Sequence, residues 1–557
     1  MCFFVKKCTI LFEKGIKMKV KKSILTSLLS AAILMAALAG CGEGKTKPTD
    51  PASAANAETA KDTVVIAISS EPSSLDPCIG WGHGTTPLIQ STLVEYKQDM
   101  TFVNDLATDY SVSEDGLSWT FKIRDDVKFT DGEPLTASDV AFTFNTAKKS
   151  QSSLDLTFMD KAEATADDTV VFTLDRPTST FLNTIATTGI VPEHAYGDSY
   201  GTQPIGSGPF VFVQWNKGEQ LMLKANEDYY GKIPEIKNVT LVFMEEDAAF
   251  AAVKSGQVDV ALTSATLATE DISGYNLKVV SSLDNRGLTM PVMPNEGKKT
   301  ESGYPYGNDV TCNLEIRQAL AYGFDRDQIA KEALNGFATH AYSENDGMPW
   351  NNPDVKIDTD VEYAKKLLSD NGWTDGDGDG IVEKDGLKAE FTCIYPSGDS
   401  FRQALAMAAA AQAKEIGISI VVEGTSWDDI SKRMFSEAVL MGWGSSNPYT
   451  SYCLYHSDNM LKDDYYNPEG YSNPAVDKYL DAAMKALSPD DANKNWKKAQ
   501  WDGSTGTAMK GDCPWVWLVN MQHLYYVRDG LDIGEQQLHA HGASMPLIQN
   551  LKDWIWK

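Results

Sequence analysis

Hydrophobic positions along this chain follow two different periods. Five short runs rich in β-branched residues, Val64 to Ile68, Leu117 to Ile123, Thr169 to Leu174, Val239 to Phe243 and Ile418 to Val422, read as strands. Apolar residues recurring at three and four predict helices over Glu315 to Leu334, Val361 to Asn371 and Phe401 to Ile416. Gly372 follows the second, where a left-handed residue is favoured. The mixture is that of an α/β protein without a repeat of 20 to 50 residues, and its length exceeds what one core holds, so at least two lobes are expected.

The N-terminal pattern differs. Lys19, Lys21 and Lys22 precede an apolar run from Ile24 to Leu38, and Leu38-Ala39-Gly40-Cys41 follows directly. The run is shorter than the roughly 20 residues of a membrane-spanning helix and is charged only on its N-terminal side, as in a cleaved export signal. Leu-Ala-Gly-Cys resembles the bacterial lipobox, which makes Cys41 the expected lipid attachment point. Residues 18–40 are then the signal peptide, residues 1–17 an extension upstream of the start expected at Met18, and residues 41–61, without aromatics, a flexible tether.

Charge narrows the partners. The chain has a net charge of −28, and the first forty residues hold seven lysines against one glutamate, so the mature part is more acidic still. Nucleic acid is excluded as a partner, and anionic lipid surfaces are disfavoured. Beyond Cys41 the cysteines are Cys78, Cys312, Cys393, Cys453 and Cys513, with no CxxC spacing that would indicate a zinc ribbon.

Two stretches carry a longer pattern. Ser113-Glu114-Asp115-Gly116-Leu117-Ser118-Trp119-Thr120-Phe121 supplies a tight turn at Asp115-Gly116, and Val127 to Val140 a second at Asp131-Gly132. Thr136 with Asp139 then forms a capping-box variant. Together with Pro204 to Phe210, Gly256-Gln257-Val258-Asp259, Ile316-Arg317-Gln318-Ala319-Leu320 and Asp325-Arg326, these resemble the signature of the family 5 extracellular solute-binding proteins, which include dipeptide, oligopeptide and nickel binders. The resemblance covers nearly all of residues 63–530.

It implies a two-lobed periplasmic-binding-protein-like fold with a ligand cleft between the lobes: lobe I from residues 62–285, lobe II from 286–520, and a tail of 521–557 returning to lobe I. It further implies an extracytoplasmic monomer, lipid-anchored to the cell membrane, that delivers a small solute to the permease and ATPase subunits of an ABC importer. A solute-sensing lipoprotein is the alternative outside transport.

Two segments are candidate ligand contacts. Leu75 to Gly84 sets Trp81, His83 and Cys78 among three glycines, and Trp443 to His456 gathers Ser445, Ser446, Tyr449 and further aromatics. In peptide-binding relatives an aspartate three residues after the Trp pairs with the ligand's α-amino group, and this chain has Ser446 there. A hydroxyl cannot supply that charge pair. His83 and His456 lie in the segments from which nickel-binding relatives take a histidine, so a metal chelate is the competing ligand, with His83 and His456 as its metal contacts. Asp375-Gly-Asp377-Gly-Asp379-Gly380 imitates a calcium loop but has Gly386 at the twelfth position, where a bidentate glutamate is required. His539 and His541 are spaced as on one face of a strand, a spacing equally consistent with surface exposure.

No GxSxG, HExxH, P-loop or dinucleotide fingerprint occurs, so neither an enzyme nor a cofactor is expected. Cys41→Ala is expected to move the protein from the membrane pellet to the soluble fraction with ligand affinity unchanged. A variant that still requires detergent for extraction contradicts the lipobox reading.

Overall fold

The computed structural model describes residues 61–557 apart from 83–86, 98, 151–153 and 542–543. Cys41, the export segment, the tether and His83 therefore lie outside the described residues.

Two mixed sheets organise the chain. The first has seven strands in the spatial order Tyr275–Val280, His523–Arg528, Val260–Thr263, Thr63–Ile68, Asn238–Phe243, Gln220–Ala225, Phe210–Asn216. The second has six, in the order Ala338–His340, Trp515–Met521, Asn285–Thr289, Ala438–Met441, Glu390–Pro396, Ser419–Thr425. In each a parallel trio forms the centre or one side, and parallel neighbours require a crossover between them. Helix Ser400–Glu415 provides one in the second sheet and Trp427–Arg433 the next. A four-stranded antiparallel sheet, Ala107–Val112, Ser118–Ile123, Thr169–Leu174 and Met159–Ala166, packs against helix Ala137–Ser150 around Trp119, Phe121, Phe144, Phe172 and Phe181. It forms a separate flank of the first lobe.

The signature stretches build scaffold. The Asp115-Gly116 turn joins two antiparallel strands with Gly116 at φ +72°. The Asp139 carboxylate accepts the Thr136 amide at 2.9 Å and its hydroxyl at 3.0 Å, closing the helix N-terminus. Gly206 is required by close approach, since a Cβ there would fall 2.0 Å from the Ile89 carbonyl oxygen. Arg317 donates to the carbonyls of Thr311, Cys312, Asp512 and Cys513. Arg326, 2 % exposed, donates to those of Trp517, Ala321 and Phe324.

One expectation is corrected: the helix over Glu315 to Leu334 is two, Leu314–Gly323 and Arg326–Leu334. Asp325 breaks it because its carboxylate caps the second helix by accepting the Gln328 amide at 3.0 Å, a better use of a short acid than a mid-helix position.

The two sheets share one antiparallel ribbon. Tyr275–Val280 pairs with His523–Arg528 in the first sheet, and Asn285–Thr289 with Trp515–Met521 in the second. Only residues 281–284 on one strand and Gln522 on the other lie between. Residues near the C-terminus run alongside: the Leu283 amide donates to the His539 carbonyl at 2.7 Å, and the His539 amide to that of Ser281 at 3.1 Å.

Side chains knit the crossing. Burial alone would raise the Asp284 carboxyl, but Arg286 and His541 beside it hold it well below the usual range, with His541 Nδ1 at 2.5 Å. His539 is fully buried, 3.2 Å from both His523 Nδ1 and the Tyr525 hydroxyl, so of the two places its spacing allowed the surface is not the one taken. A single parallel bridge to Ser282 lays the C-terminal segment against the ribbon and turns His539 inward.

Burial, then the neighbouring His523, pushes the His539 imidazole from 6.5 down to about 3. Above about pH 6.5 folded and unfolded states are both neutral there. Below it the unfolded chain takes a proton that the folded one refuses until near pH 3, so stability falls with pH, by about 2 kcal/mol at pH 5 from this residue. In urea titrations the stability gap between the protein and His539→Gln is expected to narrow by about that amount between pH 7.5 and 5. A gap independent of pH would contradict the shift.

Candidate functional site

The aromatic segment after strand Ala438–Met441 is anchored on the shared ribbon. The Trp443 amide donates to the Asn285 side-chain oxygen at 2.9 Å, and the Asn285 amide to the Trp443 carbonyl at 3.1 Å. Gly444 passes so close that a Cβ would fall 2.2 Å from the Leu283 carbonyl oxygen. Ser445 and Asn447 then fold the chain on themselves, their side-chain oxygens accepting the amides of Asn447 at 3.1 Å and Tyr449 at 3.0 Å. Helix Tyr449–Tyr455 follows.

A buried carboxylate holds that helix. Glu344, 3 % exposed, accepts from the Ser451 hydroxyl at 2.6 Å, the Tyr455 hydroxyl at 3.0 Å and the Asn345 amide at 2.6 Å. Burial raises its carboxyl above the usual range despite these bonds.

The segment meets the first lobe directly. The Ser446 carbonyl accepts from the Tyr96 hydroxyl at 3.3 Å and the Asn183 side-chain amide at 3.2 Å, and Asn183 also donates to Tyr96 at 3.0 Å. The Ser179 amide reaches the Met484 carbonyl at 2.8 Å. Between these contacts lies a cavity of about 80 Å³, lined from both sides. The small antiparallel sheet and its loops contribute Leu154, Phe158, Arg176 and Thr178, and the second lobe contributes Ser445, Asn447, Tyr449 and Tyr466. A larger and more open hollow of about 900 Å³, against residues 126–132 and 224–228, is built from the first lobe alone.

The structure brings some of the sequence-selected residues to this cavity and others not. Ser445 and Tyr449 line it. Trp443 stands behind, stacked on Tyr466 at 4.6 Å between ring centroids. Ser446 lies in the contact between lobes through its carbonyl. Trp81, 6 % exposed, is in the core of the first lobe with Leu75, Leu88 and Ile89. His456 is buried against Tyr452, centroids 4.4 Å apart, its Nδ1 accepting the Asp458 amide at 3.1 Å and its Nε2 3.7 Å from Asp481. His83 is outside the described residues. Cys78 and Cys453 sit in separate cores, and all five described cysteines are thiols.

Sequence reasoning missed Tyr96, Arg176, Asn183 and Glu344. Each is an ordinary residue locally and acquires a role only through a partner far along the chain. In the calcium-like loop, Asp375, Asp377 and Glu383 come within 4.8 Å of one another. The Lys388 ammonium already pairs with Asp377 and Asp379, and the Gly378 and Gly380 amides donate to Asp375.

The profile of the bacterial extracellular solute-binding proteins, family 5, matches residues 101–463. Protein XP55 of Streptomyces lividans is 34% identical over 492 residues, covering 85% of this chain and 86% of that protein. The oligopeptide-binding protein AppA of Bacillus subtilis (strain 168) is 28% identical over 85% of this chain and 89% of its own length. Among solved structures, NikZ from Campylobacter jejuni in complex with Ni(L-His) superposes with a TM-score of 0.70 at 25% identity, over 89% of this chain and 99% of that one. Ribbon, twin sheets and cavity are thus those of a two-lobed binding protein, and the chain belongs to the bacterial extracellular solute-binding proteins of family 5.

Proposed function

We propose that this protein is the extracytoplasmic capture subunit of an ABC importer: a lipid-anchored, non-catalytic monomer that closes its lobes around a small solute of the short-peptide class and presents it to the permease. Lobe I is then residues 62–285 with the returning 521–557, and lobe II residues 286–520. The observation that carries the reading is the cavity lined from both lobes beside the contacts that join them. A ligand held there touches both walls only when the lobes are together, so it favours the closed state by whatever affinity it gains on closure.

The relatives support the ligand class from outside, AppA being named for oligopeptides. The cavity supports a small member of it. Its lining offers hydroxyls, an amide and aromatic rings from Ser445, Thr450, Asn447, Tyr449 and Tyr466, which suit the mixed polar and apolar surface of a short peptide. The second reading, a metal chelate, rests on the likeness to NikZ. Against it, none of the described lining residues is a histidine, and His456 uses its Nδ1 on a main-chain amide.

Native mass spectrometry followed by calorimetric titration with di- and tripeptides, and with nickel plus histidine, tests the class. Peptide binding is expected to slow hydrogen exchange of segments 178–186 and 444–452 together, because both meet across the lobes. Exchange unchanged at saturation would remove the closure mechanism. In a separate experiment, Tyr96→Phe combined with Asn183→Ala is expected to weaken affinity roughly fivefold for about 1 kcal/mol of lost closure bonding, without contact to the ligand. Unaltered affinity would show that these bonds do not bias closure.

A further inference from the structure

We propose that the solute carries a carboxylate and that Arg176 receives it. This rests on the interlobe cavity being the binding site and adds a residue and a chemical class to it.

The argument begins with how the chain treats its other arginines. It has eight, in a sequence where 77 acidic residues face 49 basic ones, so a carboxylate partner is easily found. Five meet one: Arg124 with Asp126, Arg286 with Asp284, Arg402 with Asp399, Arg433 with Glu423, Arg528 with Asp259. The remaining two paired guanidiniums, Arg317 and Arg326, are buried among main-chain carbonyls. Only the Arg176 side chain, which is exposed, makes no hydrogen bond or ion pair among the described residues, and it is the arginine that lines the cavity.

Its backbone is well fixed. The Asp175 amide donates to the Phe158 carbonyl at 2.8 Å, the Thr178 hydroxyl to the Arg176 carbonyl at 3.1 Å, and the Ser179 amide to Met484 of the other lobe. The strand end that carries Arg176 is therefore pinned on its own sheet and, when the lobes meet, on the opposite lobe. Closure delivers the guanidinium to the cavity.

The lining limits what can answer it. Its one other charged residue, Asp155, turns a carboxylate oxygen onto the amide and hydroxyl of its own neighbour Thr157, at 3.0 and 2.7 Å. The rest is hydroxyl, amide, thiol, thioether, ring and the aliphatic Leu154. A guanidinium offers five N–H donors in a planar fork that fits a carboxylate two bonds at a time. In a strongly acidic protein an anion is repelled at long range, so a solute of this kind needs one local cation to make its stay favourable. The same chemistry could reach the site as a peptide C-terminus or as the carboxylate of a metal-chelating amino acid.

Calorimetry on the full-length, detergent-purified protein separates these outcomes. The probes are di- and trialanine as free acids and as C-terminal amides, and nickel with L-histidine or with L-histidinamide. The free acids of one pair are expected to bind at least tenfold tighter than the amides, and which pair does so identifies the source. Arg176→Gln is expected to lose that discrimination while melting at an unchanged temperature, and Arg176→Lys to keep part of it. Equal binding of acid and amide, or discrimination that survives in Arg176→Gln, overturns the role of the arginine and leaves capture in the cavity standing. No binding of any probe overturns both.

Discussion

Everything in this molecule hangs on one antiparallel ribbon that belongs to two sheets at once. Val280 faces His523 on one side of the crossing and Asn285 faces Asn520 on the other, so the register of the first sheet dictates that of the second. A slip of one residue would turn every side chain of Trp515–Met521 to the opposite face, and all but its last residue are buried. The buried Asp284–Arg286 pair sits where the ribbon changes sheets, and removing one partner of such a pair costs on the order of 3–5 kcal/mol by stranding the other. Its value here is position: an uncompensated charge appears if the ribbon shifts.

The ligand loop is an extension of that ribbon. Asn285 grips Trp443 by two bonds, Gly444 lies against Leu283, and the His541 amide donates to the Gly444 carbonyl at 3.1 Å, so a bend of residues 281–284 is carried into the segment that lines the cavity. On the proposed reading, hinge and site are mechanically continuous, which is what capture requires if occupancy is to change the population of closed molecules. The far wall, on the small antiparallel sheet, is carried by elements that touch the hinge only through the first lobe. Closure as proposed would bring together one wall attached to the ribbon and one attached only to the first lobe.

What the sequence disclosed follows from the range of the forces involved. Strand periodicity located Thr169–Leu174 to the residue, and the capping residues around Thr136 and Gly372 marked helix ends, because these depend on neighbours a few positions away. The helix break at Asp325 was written locally too, but was masked by apolar periodicity continuing through it. The candidate site was legible as a segment and not as a set of residues. Ser445 and Tyr449 line the cavity, whereas Trp81 and His456 are equally polar-tipped aromatics that packing drew into the cores. Arg176 had no signal, since its distinction is the lack of a partner, and that is visible only when every possible partner has been placed. The hinge had no signal in the residues themselves, and its expected place at 285/286 and 520/521 came only with the family resemblance: residues 281–286, 520–525 and 536–541 are brought together across more than two hundred positions.

The bond from Tyr96 and Asn183 falls on the carbonyl of Ser446, an atom every amino acid possesses. The resemblance sets residue 446 where peptide-binding relatives are expected to carry a charged contact, so on the proposed reading it is a point at which ligand preference can drift. Because the opposite lobe grasps the main chain there, its side chain is free to be exchanged without loosening the clasp. A lineage could in this way retune what is captured while inheriting the closing motion intact.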